Sequence, residues 1–113
     1  MADDLLKQRR CVPCDSTTPA LTPQAAEQQL KRLASGWSCN EVGTEICKKF
    51  LFKDFYHTMA FVNALAWIAH QEDHHPDLEV GYNRCVVRFS THAIGGLSIN
   101  DFICAAKTDD LQS

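Results

Sequence analysis

Residues 54–76 read DFYHTMAFVNALAWIAHQEDHHP, and residues 77–92 continue DLEVGYNRCVVRFSTH. The first stretch carries the strongest helical pattern in the chain. Asp54 is placed as an N-cap. Phe61, Leu65 and Ile68 then fall on one stripe, with Val62, Ala66 and Ala69 beside it. The spacing predicts a helix over residues 55–72. It must end near Asp73, because His75 precedes Pro76 and is biased away from the α region. The second stretch changes period: Cys85, Val87 and Phe89 alternate with Arg84, Val86 and Arg88, as in a half-buried strand. Strands are expected over 78–82 and 84–91.

Outward toward the N-terminus, residues 37–52 read as a hairpin, rich in aromatic and β-branched residues, with its turn at Val42-Gly43-Thr44. Lys48, Lys49 and Lys53 are expected on solvated strand edges. Ahead of the hairpin, Thr22 is a good N-cap and Pro23 suits a first helical position. Ala26, Leu30, Leu33 and Ala34 share one helical face, and Gly36 supplies the stop. Toward the C-terminus, the four residues from Ser98 to Asp101 form a capping-box pattern, with Asp in place of Glu, that opens a last helix. The element order is α-β-β-α-β-β-α. Short links between the strands make this an α+β fold, an antiparallel four-stranded sheet covered on one face by helices. Residues 1–21 are polar, hold Pro13 and Pro19 and show no apolar period. They are expected to be an N-terminal extension that stays disordered unless something pins it. Residues 22–113 are expected to be a single domain.

Composition narrows the function classes. The chain has 113 residues, 45 % hydrophobic and 22 % charged, which suits one ordinary globular core. A net charge of −3, with no basic block beyond residues 7–10, gives no footprint for nucleic acid or an anionic membrane. The apolar stretch at 59–69 is too short for a bilayer, and no secretory pattern opens the sequence. The six cysteines are expected to be mostly free thiols, and the compartment to be the cytoplasm.

The histidines carry the chemistry. His70, His74, His75 and His92 fall at element ends, and His70 and His74, four apart, share a helical face by this reading. Imidazole titrates near neutral pH unaided, which suits acid–base work. Two rival readings stand beside that one. His70 and His74 have the spacing of two metal ligands on one helical turn, and Cys11-Val12-Pro13-Cys14 is a CxxC. Yet a structural zinc takes four ligands, and the other cysteines are scattered, with Cys85 and Cys104 at apolar positions. The second rival is an interaction or regulatory protein, which would have no need of the histidines.

Asp73-His74-His75-Pro76, Tyr82-Asn83, Ser90-Thr91-His92, Gly96-Leu97 and Asp101 together resemble the signature of the pterin-4a-carbinolamine dehydratases, over about residues 22–108. The resemblance implies a small α+β enzyme that removes water from 4a-hydroxytetrahydropterin to give quinonoid dihydropterin. That substrate is the spent cofactor of an aromatic amino acid hydroxylase, usually phenylalanine hydroxylase in bacteria. The resemblance also implies a homodimer or homotetramer that uses no metal or cofactor. It places catalytic histidines at His74, His75 and His92, with proton transfer expected of His75 and His92 and with His74 orienting the pterin or sharing the acid role. Pterin contacts are implied at His74, His75 and Pro76, at Thr91, His92, Ala93 and Ile94, and at Asp101. Animal members also act as dimerisation cofactors of a transcription factor. Two positions depart from the family pattern: His70 stands where Glu is frequent, and Ala93 where Asp or Glu is frequent. Acidic help is then left to Glu72, Asp73 or Asp101, and Asp101 has an equal structural reading as the capping partner of Ser98.

Overall fold

The computed structural model describes residues 5–112. Its regular elements are α1 (Pro23–Leu30), β1 (Ser38–Cys39), β2 (Ile46–Leu51), α2 (Phe55–Glu72), β3 (Asp77–Val80), β4 (Arg84–Phe89) and α3 (Ile99–Asp110). Single 3-10 turns at Leu6–Gln8 and His92–Ile94 are added to the expected order. The four strands form one antiparallel sheet in the order β1-β2-β4-β3. Strand alternation decides which face is covered. Ile46, Phe50, Cys85, Val87 and Phe89 point to one side and are buried under the helices with Phe61, Leu65, Phe102 and Ile103. The opposite face carries Lys49, Arg84 and Arg88, with Arg88 Nη1 2.8 Å from Glu79.

Caps set the helix starts as the residue types require. Thr22 Oγ1 accepts from the Ala25 N–H at 3.1 Å, and Asp54 Oδ1 from the His57 N–H at 2.9 Å. At α3 the capping box between Ser98 and Asp101 is complete in both directions. α2 begins and ends as its sequence predicts.

Three expectations change. α1 stops at Leu30 rather than running to Gly36, because Asp109 draws the following chain to itself. Its Oδ2 accepts from the Ala34 N–H at 3.1 Å and from the Trp37 indole at 3.0 Å. Lys48 is not on a solvated edge. β2 is an internal strand, and Lys48 lies on its covered face, 2.7 Å from Asp109 Oδ1 and over the Phe50 ring. The extension before residue 22 is pinned within its described part. Leu6 is only 4 % exposed and belongs to the core cluster, Lys7 pairs with Asp110 at 2.9 Å, and the Leu21 N–H donates to the Leu97 carbonyl. An apolar period could not reveal this, since a strap needs only one anchor per few residues.

Candidate functional site

The site is built where α2 ends. Asp73 takes φ 51° and ψ 43°, the left-handed conformation that usually falls to glycine after a helix. Among the described residues it is the only non-glycine with positive φ. The turn folds the His74 N–H back on the Ala69 carbonyl at 3.2 Å and swings the chain off the helical spiral. His70 and His74 therefore do not act as a pair: the His70 ring lies against Trp67, while His74 faces α3. Among the described residues, no three His, Cys, Asp or Glu side chains are grouped so as to hold one ion.

Asp101 is the hub. Its side chain is fully buried, and its two oxygens are divided between three donors. Oδ1 accepts from His74 Nε2 at 2.6 Å. Oδ2 accepts from the Thr91 hydroxyl at 2.8 Å and from the Ser98 N–H at 3.0 Å. A carboxylate only accepts, so His74 Nε2 carries a hydrogen and Nδ1 is the nitrogen left for other work. Thr91 has one proton and gives it to Asp101, so the Ser98 hydroxyl donates to Thr91 Oγ1 at 2.7 Å. The His74 ring lies nearly parallel to Phe89, 10° apart in plane with centroids at 6.1 Å. Asp101 thus caps α3 and also holds the His74 ring.

The other expected residues are spread around this network. His74 lines a cavity of about 390 Å³ together with Asp73, Ala93, Asn100 and the strap residues 11–14. That volume falls in the range of small-molecule sites, roughly 300–1,000 Å³. His92 opens the 3-10 turn and is exposed, on a second hollow of about 260 Å³ that also includes Thr91 and Gly96. Thr91 joins the two places through its bond to Asp101. His75 is exposed, and Pro76 and Ile94 are half-buried.

Two residues at the cavity carry parts that the sequence did not signal. The Asn100 side chain pairs with the Val12 backbone in both directions, accepting from its N–H at 3.0 Å and donating to its carbonyl at 2.6 Å. Glu72 accepts from the Cys11 N–H at 2.8 Å and pairs with Arg10 at 2.9 Å. Nothing in the spacing links residues 11 and 12 to positions some sixty and ninety further on.

Burial works to raise the Glu72 carboxyl, but the Cys11 N–H and the charges of Lys107 and Arg10 outweigh it and hold it below the usual carboxylate range. A carboxyl depressed in the folded state stabilises that state above its unfolded pKa, and the contribution is lost as pH falls through the folded value. Glu72→Gln is therefore expected to lower stability at neutral pH by about 1–2 kcal/mol. It should also flatten the wild-type fall in stability below about pH 4.5. Urea denaturation at a series of pH values measures both; parallel wild-type and variant profiles would refute the charge role.

Comparison with known proteins identifies the family and the fold. The family described as Pterin 4 alpha carbinolamine dehydratase matches residues 19–111. A Nitrosomonas eutropha protein named "Putative pterin-4-alpha-carbinolamine dehydratase" is 57 % identical over 106 residues, 94 % of this chain and 92 % of that one. A Stenotrophomonas maltophilia protein of the same name is 57 % identical over 98 % of this chain and 96 % of its own. The crystal structure of a transcriptional coactivator/pterin dehydratase from Brucella melitensis superposes with a TM-score of 0.79 at 31 % identity, covering 83 % of this chain and 99 % of that one.

Proposed function

The chain belongs to the pterin 4-alpha-carbinolamine dehydratase family, and we propose on that footing that it removes water from 4a-hydroxytetrahydropterin with His74 as its central proton-transfer group. The observation that supports this most is the 2.6 Å bond from His74 Nε2 to the buried Asp101, at the wall of a cavity of small-molecule size.

The reaction breaks the C4a–O bond, removes the N5 proton and forms the C4a=N5 double bond. The leaving hydroxyl needs a proton from an acid, and N5 needs a base. The Asp101 carboxylate lies on the Nε2 side of the ring, opposite the Nδ1 that takes the N5 proton. His75 follows His74 directly, and His92 follows Thr91, whose hydroxyl rests on Asp101. Both are exposed, which suits a group that delivers a proton to the departing oxygen and is recharged by water. Asp101 supplies the acidic help that Ala93 lacks. The product, a quinonoid dihydropterin, requires a reductase to return it to the tetrahydro form. The supplier of the substrate on this reading is an aromatic amino acid hydroxylase, with phenylalanine hydroxylase the expected one.

Self-association fits the same reading. Tyr56, Ala60, Asn63 and Trp67 form an exposed stripe along α2, with Tyr56 78 % and Trp67 60 % exposed. Such a stripe suits a homodimer or homotetramer. No helix is long and apolar enough to cross a membrane among the described residues.

The test follows the absorbance decay of enzymatically generated 4a-hydroxytetrahydropterin. Wild type is expected to accelerate it. His75→Ala and His92→Ala, shown to be folded by circular dichroism, are each expected to slow it, by less than the roughly 10²–10⁴ of a fully committed acid–base group. A folded wild type that leaves the decay at its spontaneous rate refutes the function; unchanged turnover in both variants refutes their part in it.

A further inference from the structure

The family match begins at residue 19, yet the cavity that holds His74 is walled by residues 11–14. This wall is held in place by its backbone. Asn100, 3 % exposed, grips the Val12 N–H and carbonyl as a neighbouring strand would. Glu72 holds the Cys11 N–H, and Cys11 Sγ sits 3.5 Å from Cys104 Sγ in the core. None of these anchors uses the Val12 side chain, which is 57 % exposed. The strap is thus a fixed support whose side chain at position 12 can vary without loosening it, whereas the Cys14 thiol accepts from Asn100 Nδ2 at 3.5 Å.

Pterin chemistry says what such a wall must meet. N5, the atom that loses its proton, is bonded to C4a on one side and to C6 on the other. A base that reaches N5 therefore has the C6 substituent two bonds from its target. His74 and the strap share one cavity, so a pterin seated against His74 presents C6 close to residues 12–14. We propose that this strap selects the substrate by its C6 substituent: it accepts a short hydroxyalkyl chain and limits larger ones, with Val12 the residue that sets the limit. The inference rests on the dehydratase reading above and deepens it. A half-apolar lining of Val12 and Pro13 beside the Cys14 thiol suits a chain that is part hydrocarbon and part hydroxyl.

The experiment compares kcat/KM for two 4a-hydroxytetrahydropterins, one with 6-methyl and one with 6-(1,2-dihydroxypropyl), in the full-length wild type, Val12→Trp and Val12→Gly. Filling the wall is expected to lower the dihydroxypropyl-to-methyl ratio by about tenfold or more, the scale on which pockets read one or a few carbons. Opening it is expected to shift the ratio the other way. A strap with only a structural role would change both substrates alike, and ratios within about twofold of wild type in both variants overturn the proposal. Equilibrium binding of the unreactive 7,8-dihydropterins with the same two side chains is measured in parallel. Turnover with unmoved ratios refutes the strap alone. A wild type that turns over neither substrate, yet binds the dihydropterins with ratios that follow Val12, refutes the dehydratase reading and leaves the wall. One that does neither refutes both.

Discussion

His74→Ala is expected to lower kcat for dehydration by about 10²–10⁴ while leaving the protein folded. Three observations put it above His75 and His92. Its side chain is only 11 % exposed, its Nε2 is fixed on Asp101 at 2.6 Å, and its ring lies parallel to Phe89. A group fixed in both position and tautomer spends no reorganisation at the moment of proton transfer. The exposed histidines have water beside them that can partly stand in when either is removed. Spontaneous loss of water sets the floor, so the measurable drop is bounded by the wild-type rate over background. His74→Gln separates the two roles the ring could play. A glutamine amide can still donate to Asp101 and fill the space, but it cannot accept a proton from N5. If His74→Gln retains turnover within about threefold of wild type, the ring only positions the substrate and the base lies elsewhere.

Much of this was legible because local rules and tertiary packing agree in the second half of the chain. The α2 pattern, its Asp54 cap, the stop before Pro76 and the strand alternation at 84–89 each answer to one nearby cause, and the structure follows them. The capping box at Ser98 was legible too, but only half its meaning was. A spacing rule shows that Asp101 can reach the Ser98 N–H; it cannot show that the same carboxylate also meets a histidine twenty-seven positions earlier. The first half misled where one distant residue takes over. Asp109, near the end of α3, unwinds the chain after Leu30 and pulls Lys48 inward, and no window of sequence around α1 or β2 contains it. The strap is the extreme case. Residues 11–14 have neither period nor propensity, and are held by Asn100 and Glu72 through backbone groups that every residue carries. Contacts to the main chain leave no signature in residue type. The His70–His74 pairing failed for a local reason instead: a left-handed Asp73 between them breaks the i, i+4 relation.

Asp101→Ala is expected to cost about 3–5 kcal/mol of stability, a large share of the roughly 5–15 kcal/mol typical of a domain. The substitution strands three donors that meet on a fully buried carboxylate: the His74 Nε2–H, the Thr91 hydroxyl and the Ser98 N–H. Loss of the cap alone is worth about 1 kcal/mol. Asp101→Asn is the more informative variant, because shape is kept and only one oxygen becomes an NH₂. The NH₂ group settles at the position of Oδ1, where it opposes one donor, rather than at Oδ2, where it would oppose two. The cap and the Thr91 bond survive, so the stability cost should be only about 1–2 kcal/mol. His74 must then accept at Nε2 and carry its hydrogen on Nδ1, the reverse of the wild-type tautomer. Nδ1 can no longer take a proton from N5, and kcat is expected to fall by about 10²–10³ although every side chain remains in place. Urea denaturation reads the first effect, nitrogen NMR of the His74 ring the tautomer, and the dehydration assay the last. An Asp101→Asn protein with the reversed tautomer and wild-type turnover would show that Asp101 serves only the cap of α3, and that proton transfer does not pass through His74.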